Sequence, residues 1–206
     1  MFKKLFAAMG MGSAEVDTRL HNNRVYPGQT LTGDVHIKGG EVDQEIEGLD
    51  ISLMTEVEVE SGDSEYKTKL TIGRIPLARH FKIHKHEQIS IPFQMLIHPE
   101  TPLTEIPTGG VQGYGQQGYS QGGKGQQPYS YQGHKKTGNR TKVWVYTGLE
   151  IDNALDAKDV DHLIVVPSEP MALFLTAVEN IGFRFHSADV EKGNLRGNGF
   201  QSTTGC

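Results

Sequence analysis

Residues 25–40 read VYPGQTLTGDVHIKGG, and this stretch decides the fold. Tyr26 closes a short extended segment, and Pro27 and Gly28 fit the two central positions of a type II turn. Proline pre-sets φ near about −65°, and glycine takes the positive φ that follows. Beyond the turn Leu31, Gly33, Val35 and Ile37 recur at every second position, with Thr32, Asp34, His36 and Lys38 between them. A repeat of two is that of a strand with one buried face, and Gly39-Gly40 ends it.

The same alternation continues outward. Val16 to Leu20 supplies a preceding strand, and Ile51, Leu53, Thr55, Val57 and Val59 alternate with Ser52, Met54, Glu56 and Glu58. Ser61-Gly62-Asp63-Ser64 is a turn into a strand whose expected inner face is Tyr66, Thr68, Leu70 and Ile72. A loop at that place sets Glu60 opposite Glu65, Glu58 opposite Lys67 and Glu56 opposite Lys69. The last two are opposite-charge pairs that help to fix register, so this charge run has a structural account. Ile89, Ile91, Phe93, Met95 and Ile97 alternate again, and Pro92, lacking an N–H, assigns that strand to a sheet edge or turns its position outward. Val143 to Ile151 is apolar on both faces, with Trp144 and Tyr146 opposite the main row. A covered second face is expected there, with another domain as the cover. Leu163 to Val166 is a last short strand. Several short alternating strands with turn residues between them specify an all-β sandwich.

The chain has 206 residues and a net charge of −5, which gives no overall pull toward nucleic acid or an anionic membrane. A single cysteine, Cys206, precludes an internal disulfide and suits a reducing compartment. No apolar run approaches the roughly 18 residues of a membrane span. The expected location is the cytoplasm, with a retained N-terminus. In residues 1–12 Phe2, Leu5, Phe6 and Met9 sit at helical spacing beside Lys3 and Lys4. The favoured reading is a short helix that covers one end of the core. The alternative is an amphipathic anchor in which Phe2, Lys3, Lys4, Leu5 and Phe6 touch a membrane surface or a partner.

Residues 108–139 change character, to Gly, Gln, Ser and Tyr with almost no aliphatic side chain. Such a segment cannot offset its ordering entropy, and disorder is expected. It reads as an insertion in a surface loop of the sandwich spanning 13–167. Tyr114, Tyr119, Tyr129 and Tyr131 also resemble self-associating tracts. After Pro167, Ser168 can cap a helix with Glu169 and Pro170 in its first turn. Met171, Phe174, Leu175, Val178 and Ile181 form its stripe, and Gly182 ends it. Phe183 to Val190 is strand-like again, so 168–206 reads as a linker helix and the incomplete start of a second domain.

Chemistry is sparse. His80, His84, His86 and His98 are close in sequence, but no nearby carboxylate or thiol completes a ligand set, and solvated loop histidines are the favoured reading. Asp152, Asp156, Asp159 and Asp161 lack the spacing of an EF-hand. Lys124, Lys135, Lys136, Arg140 and Lys142 give the insertion and its exit a basic tint, without a folded aromatic platform for nucleic acid. Neither a G-x-S-x-G nor a P-loop occurs. No cofactor, no metal and no enzymatic activity are expected.

The segments MFKKLFAAMGMG, AEVDT at Ala14–Thr18, YPGQTLTGDVHIKGG, QEI at Gln44–Ile46, ISLMT at Ile51–Thr55, VWVYTGLEIDNALDAKDVDHLIVVP and ENIGFRF at Glu179–Phe185, in this order, resemble the bacterial sporulation-control protein family with an arrestin-like fold. The resemblance spans nearly all of the chain outside the insertion. It implies a non-enzymatic regulator or adaptor built of immunoglobulin-like β-sandwiches, working through protein partners in sporulation or related developmental and stress responses. The Gly/Gln/Tyr insertion departs from the short loop expected in that family, and the second sandwich is expected only in part.

Overall fold

Period-two segments need neighbours on both edges and cover on one face, and two sheets supply them. The computed structural model describes residues 12–61, 64–106, 141–186, 188 and 190–191. The N-terminal segment 1–11 and the Gly/Gln/Tyr insertion therefore lie outside the described residues. Among the described residues eight strands and one helix follow in order: β1 (Glu15–Leu20), β2 (Arg24–Val25), β3 (Thr30–Lys38), β4 (Gln44–Ser61), β5 (Ser64–Ile83), β6 (Gln88–Leu96), β7 (Val143–Ile151), β8 (Ala157–Val165) and α1 (Glu169–Asn180). The smaller sheet has the order β1-β3-β6, and the larger has β2-β8-β7-β4-β5. Leu31, Val35 and Ile37 of β3 join Phe93 and Met95 of β6, Leu49, Ile51 and Leu53 of β4, and Val143, Val145 and Leu149 of β7 in one buried core. Each large aliphatic side chain so buried contributes roughly 1.5–3 kcal/mol.

The turn ahead of β3 is built from its own residues. Gln29 N–H donates to the Tyr26 carbonyl at 3.1 Å, and Gly28 holds φ at +89°. Pro27 is buried. Gly28 N–H donates to Ile97 O and Ile97 N–H to Gln29 O, each at 2.8 Å, which stitches the turn to the end of β6. Within β3, a Cβ at Gly33 would lie 2.6 Å from the Arg19 carbonyl oxygen and 2.8 Å from the Phe93 ring, so glycine is what lets that ring pack. β6 is an edge strand with Pro92 opposite Asp34, where the missing N–H breaks no inner ladder.

The β4–β5 hairpin has the register read from the sequence: Glu60 faces Glu65, Glu58 faces Lys67 and Glu56 faces Lys69. Two expectations about it change. The strands are longer, 18 and 20 residues. Tyr66, Thr68 and Leu70 are exposed rather than inward-packed. Its neighbour β7 begins at Val143 as read from the sequence, opposite Thr55, so the distal hairpin runs on past it. The ion pairs also differ from the register. Lys67 Nζ reaches both Glu58 at 3.0 Å and Glu56 at 3.4 Å, while Lys69 Nζ stands 6.0 Å from the centre of the Trp144 ring.

On β7 the main row is buried as its pattern requires, and Trp144 on the opposite face is buried too. Its cover among the described residues comes from within the sheet rather than from another domain. Lys69 lies over it, and the His162 ring sits 6.2 Å away at a 60° tilt. Ser168 adopts the extended cap conformation before α1 and Pro170 occupies the first turn, but the Ser168 hydroxyl makes no capping hydrogen bond. Gly182, at φ +98°, ends the helix by donating its N–H to Glu179 O at 3.0 Å. No residue of α1 is buried, so its apolar stripe has no core beneath it among the described residues. No helix of the described residues is long and apolar enough to cross a membrane.

Candidate functional site

The residues singled out by sequence fall in separate places. Phe2, Lys3, Lys4, Leu5 and Phe6 lie outside the described residues, as do the insertion tyrosines and Cys206. Pro27 and Gly28 form the turn described above. The histidines do not converge. His84 Nδ1 lies 3.1 Å from Asp43 Oδ2, and His86 Nε2 lies 3.6 Å from Glu41. His98 Nδ1 accepts the Glu100 N–H at 3.2 Å, and His80 sits on β5 with φ +47°. The Lys85 N–H, then His84 and Lys82, hold the Asp43 carboxyl down at about 2. These contacts close the β5–β6 turn onto the β3–β4 connection. Among the described residues no group of three or more His, Cys, Asp or Glu side chains is placed to hold a metal ion.

The aspartates divide as well. Asp156 Oδ1 accepts the Ile151 N–H at 3.0 Å and closes the β7–β8 turn. Asp159 and Asp161 face the seam where β8 of the large sheet meets β1 of the small one. There the Thr18 N–H donates to Asp159 Oδ2 at 2.7 Å, and the Thr18 and Thr147 hydroxyls are 2.6 Å apart. These bonds tie residues far apart in sequence across the two sheets. Asp161 Oδ2 is buried with no hydrogen-bond partner. Burial first, then the charges of Asp159 and Asp17, push the Asp161 carboxyl up to about 6. A cavity of about 490 Å³ opens beside it, lined by Thr18 to Asn23 with Asp161 and His162. The seam therefore holds a carboxyl that keeps its proton to a higher pH than an ordinary aspartate. Its neighbouring carboxylate is already committed to Thr18, which suits structural coupling better than turnover.

A second polar cluster was not legible in the sequence. The Asp50 side chain, 7 % exposed, lies on β4 between two arginines of β5. Arg79 donates to its two oxygens at 2.7 and 3.0 Å, and Arg74 donates at 2.5 Å. Burial pushes the Asp50 carboxyl up, but the hydrogen bonds and charges of Arg79 and Arg74 outweigh it and hold the pKa below the ordinary value. All three ionised groups satisfy one another, so the cluster fixes the strands and leaves no reactive group.

The surface also carries large exposed apolar side chains. Phe174 is 68 %, Ile181 74 % and Phe183 64 % exposed, with Leu173 close by in sequence and also exposed. Tyr66 and Leu70 are exposed on the distal hairpin. A stripe was visible in the α1 sequence; that its Phe174 and Ile181 face water while Leu175 and Val178 are half-buried was not, because periodicity does not say what stands opposite. Large exposed aromatic and aliphatic side chains are features of surfaces that other macromolecules cover.

A family model described as SpoOM protein matches residues 2–116 and 126–204. The sporulation-control protein spo0M of Bacillus subtilis (strain 168) is 29 % identical over 191 residues, which cover 93 % of this chain and 61 % of that protein. The crystal structure of Spo0M from Bacillus subtilis superposes with a TM-score of 0.68 at 28 % identity, covering 86 % of this chain and 59 % of that one. The chain thus spans about three fifths of the length of these relatives.

Proposed function

Because the chain belongs to the SpoOM protein family, we propose that it is a non-enzymatic regulator with an arrestin-like fold, working through protein–protein contacts. The process it regulates is sporulation or a related developmental or stress response. The name of the Bacillus subtilis relative supports the process, and the two-sheet sandwich supports the fold assignment. The observation that carries the contact mechanism is the exposed strip on and after α1, with Leu173, Phe174, Ile181 and Phe183. Aromatic side chains of this kind dominate binding energy when a partner desolvates them.

The test is a quantitative pull-down from cells entering sporulation, with the wild-type chain beside Phe174→Asp and Phe183→Asp. No residue of α1 is buried, so the helix substitution leaves the sandwich folded, as circular dichroism will verify. Specific partners held by the wild type and lost from both variants are expected. No specific partner, or equal recovery by all three chains, rejects the contact mechanism.

A further inference from the structure

Strand β8 breaks its own alternation. Ala157, Asp159, Asp161, Leu163 and Val165 share the row that faces the core. Leu163 and Val165 are sealed there, while Asp159 and Asp161 stand where apolar side chains belong. Opposite them on β7 are Thr147 and Val145, both buried and uncharged. β2 pairs with β8 only at Ile164 and Val165, so among the described residues the first part of β8 is paired on one side only. Its other side meets β1, itself the edge of the small sheet. Inward-pointing charges are one way in which strand edges are managed.

Side chains, not a ladder, join these two edges. Thr18 N–H donates to Asp159 Oδ2 at 2.7 Å, and the Thr18 and Thr147 hydroxyls are 2.6 Å apart. Asp161 follows on the same row, with Oδ2 buried and without a hydrogen-bond partner. Such an oxygen is costly, and more so when the group is ionised. The charged groups that act on it are Asp159 and His162 of β8 and Asp17 of β1. The Arg19 guanidinium beside them is engaged by Asp17 at 3.0 Å, and the His21 ring by Asp34 at 2.7 Å.

We propose that Asp161 is a proton-operated latch on the seam between the two sheets. With its proton it is neutral, and β1 stays closed on β8. Ionised, it adds a negative charge beside Asp159 and Asp17. Parting β1 from β8 hydrates Asp161, takes Asp17 away from it and breaks the Thr18–Asp159 bond. The cavity of about 490 Å³ lined by Asp161 and His162 is where water enters. The sign of the pH dependence follows. In the closed seam burial, Asp159 and Asp17 raise the Asp161 carboxyl to about 6, with the charge of His162 working the other way, and in the open seam it returns to the ordinary 3.8. Its contribution to closure is complete below 3.8 and is lost as pH rises through about 6.

Amide hydrogen exchange of the full chain, read residue by residue by NMR and corrected for intrinsic rates, tests the latch. Thr18 N–H reports the seam, and His21 N–H, which donates to Thr32 O at 3.0 Å, reports the β1–β3 ladder. Between pH 5 and pH 8 Thr18 protection is expected to fall roughly five- to tenfold, with a smaller fall at His21. Asp161→Asn should abolish the Thr18 dependence. Asp159→Asn should keep it with the midpoint moved to lower pH, and His162→Gln should keep it, which separates Asp161 from the imidazole. Flat Thr18 protection in the wild type, an equal fall at His21, or a fall that survives Asp161→Asn overturns the proposal. So does its loss in His162→Gln. Where Asp161→Asn does not fold, the Asp159→Asn midpoint decides, and an unmoved midpoint overturns the proposal as well.

Discussion

The two halves of the β4–β5 hairpin share one pattern and differ in cover. From Gln44 to Thr55, β4 has β5 on one side and β7 along most of the other, and Leu49, Ile51 and Leu53 are sealed. From Glu56 onward it keeps β5, its opposite lane is met by the chain at Val190, and Tyr66 and Leu70 on β5 face water. Val57 is still buried, so the loss of cover is graded rather than abrupt. Alternation and cross-strand charge run through both halves, and the two register shifts of the hairpin, at Leu49/Asp50 and Leu53/Met54, fall in the covered half. Burial is thus a property of what lies alongside a strand, and the distal half is left as an edge and a face for contact.

The largest effect should separate the halves directly. Leu53→Ala should lose about 2–5 kcal/mol through lost transfer energy and a residual cavity, while Leu70→Ala should lose less than about 1 kcal/mol. Urea midpoints at unchanged slope measure both, and equal losses would break the comparison. Next comes Asp50→Asn, expected to cost about 2 kcal/mol, because two half-exposed guanidiniums lose the carboxylate that organises them. The sign with pH follows from its lowered pKa. The stabilisation is present above the ordinary carboxylate pKa and disappears as pH falls through the lowered one, so the variant should lack that acid limb. Lys67→Ala, on the distal half, should have a smaller and salt-sensitive effect, since the hydrogen bond to Glu58 that raises the Lys67 pKa lies in water.

Smaller effects ask whether cover is needed at all. Gly28→Ala should cost about 1 kcal/mol through its positive φ alone. Nothing lies within 4 Å of the added Cβ, so a loss much above that would point to a contact instead. Asp161→Asn is expected to stabilise the chain near neutral pH by on the order of 1 kcal/mol, once solvent screening is allowed for. The Asp161 pKa stands at about 6 in the fold against an ordinary 3.8. Its favourable contribution is complete below the ordinary value and is lost as pH rises through about 6. Denaturation from pH 4 to pH 8 should show that decline in the wild type and not in the variant.

The sequence by itself determined where strands occur, though not the full extent of β4, β5 and β8, together with the turn at Pro27-Gly28 and the register of the distal hairpin. A side-chain repeat of two, a glycine that accepts positive φ and opposite charges at paired positions are local properties, written within a few residues. It also marked β6 as an edge strand through Pro92, since a missing N–H is a fact about one residue. Only the tertiary structure decided that Thr18 would meet Asp159, that Asp50 would gather Arg74 and Arg79, and that Tyr66, Leu70 and Phe174 would face water. Those outcomes depend on which elements arrive alongside one another, and an apolar row carries no information about the distance to the next surface.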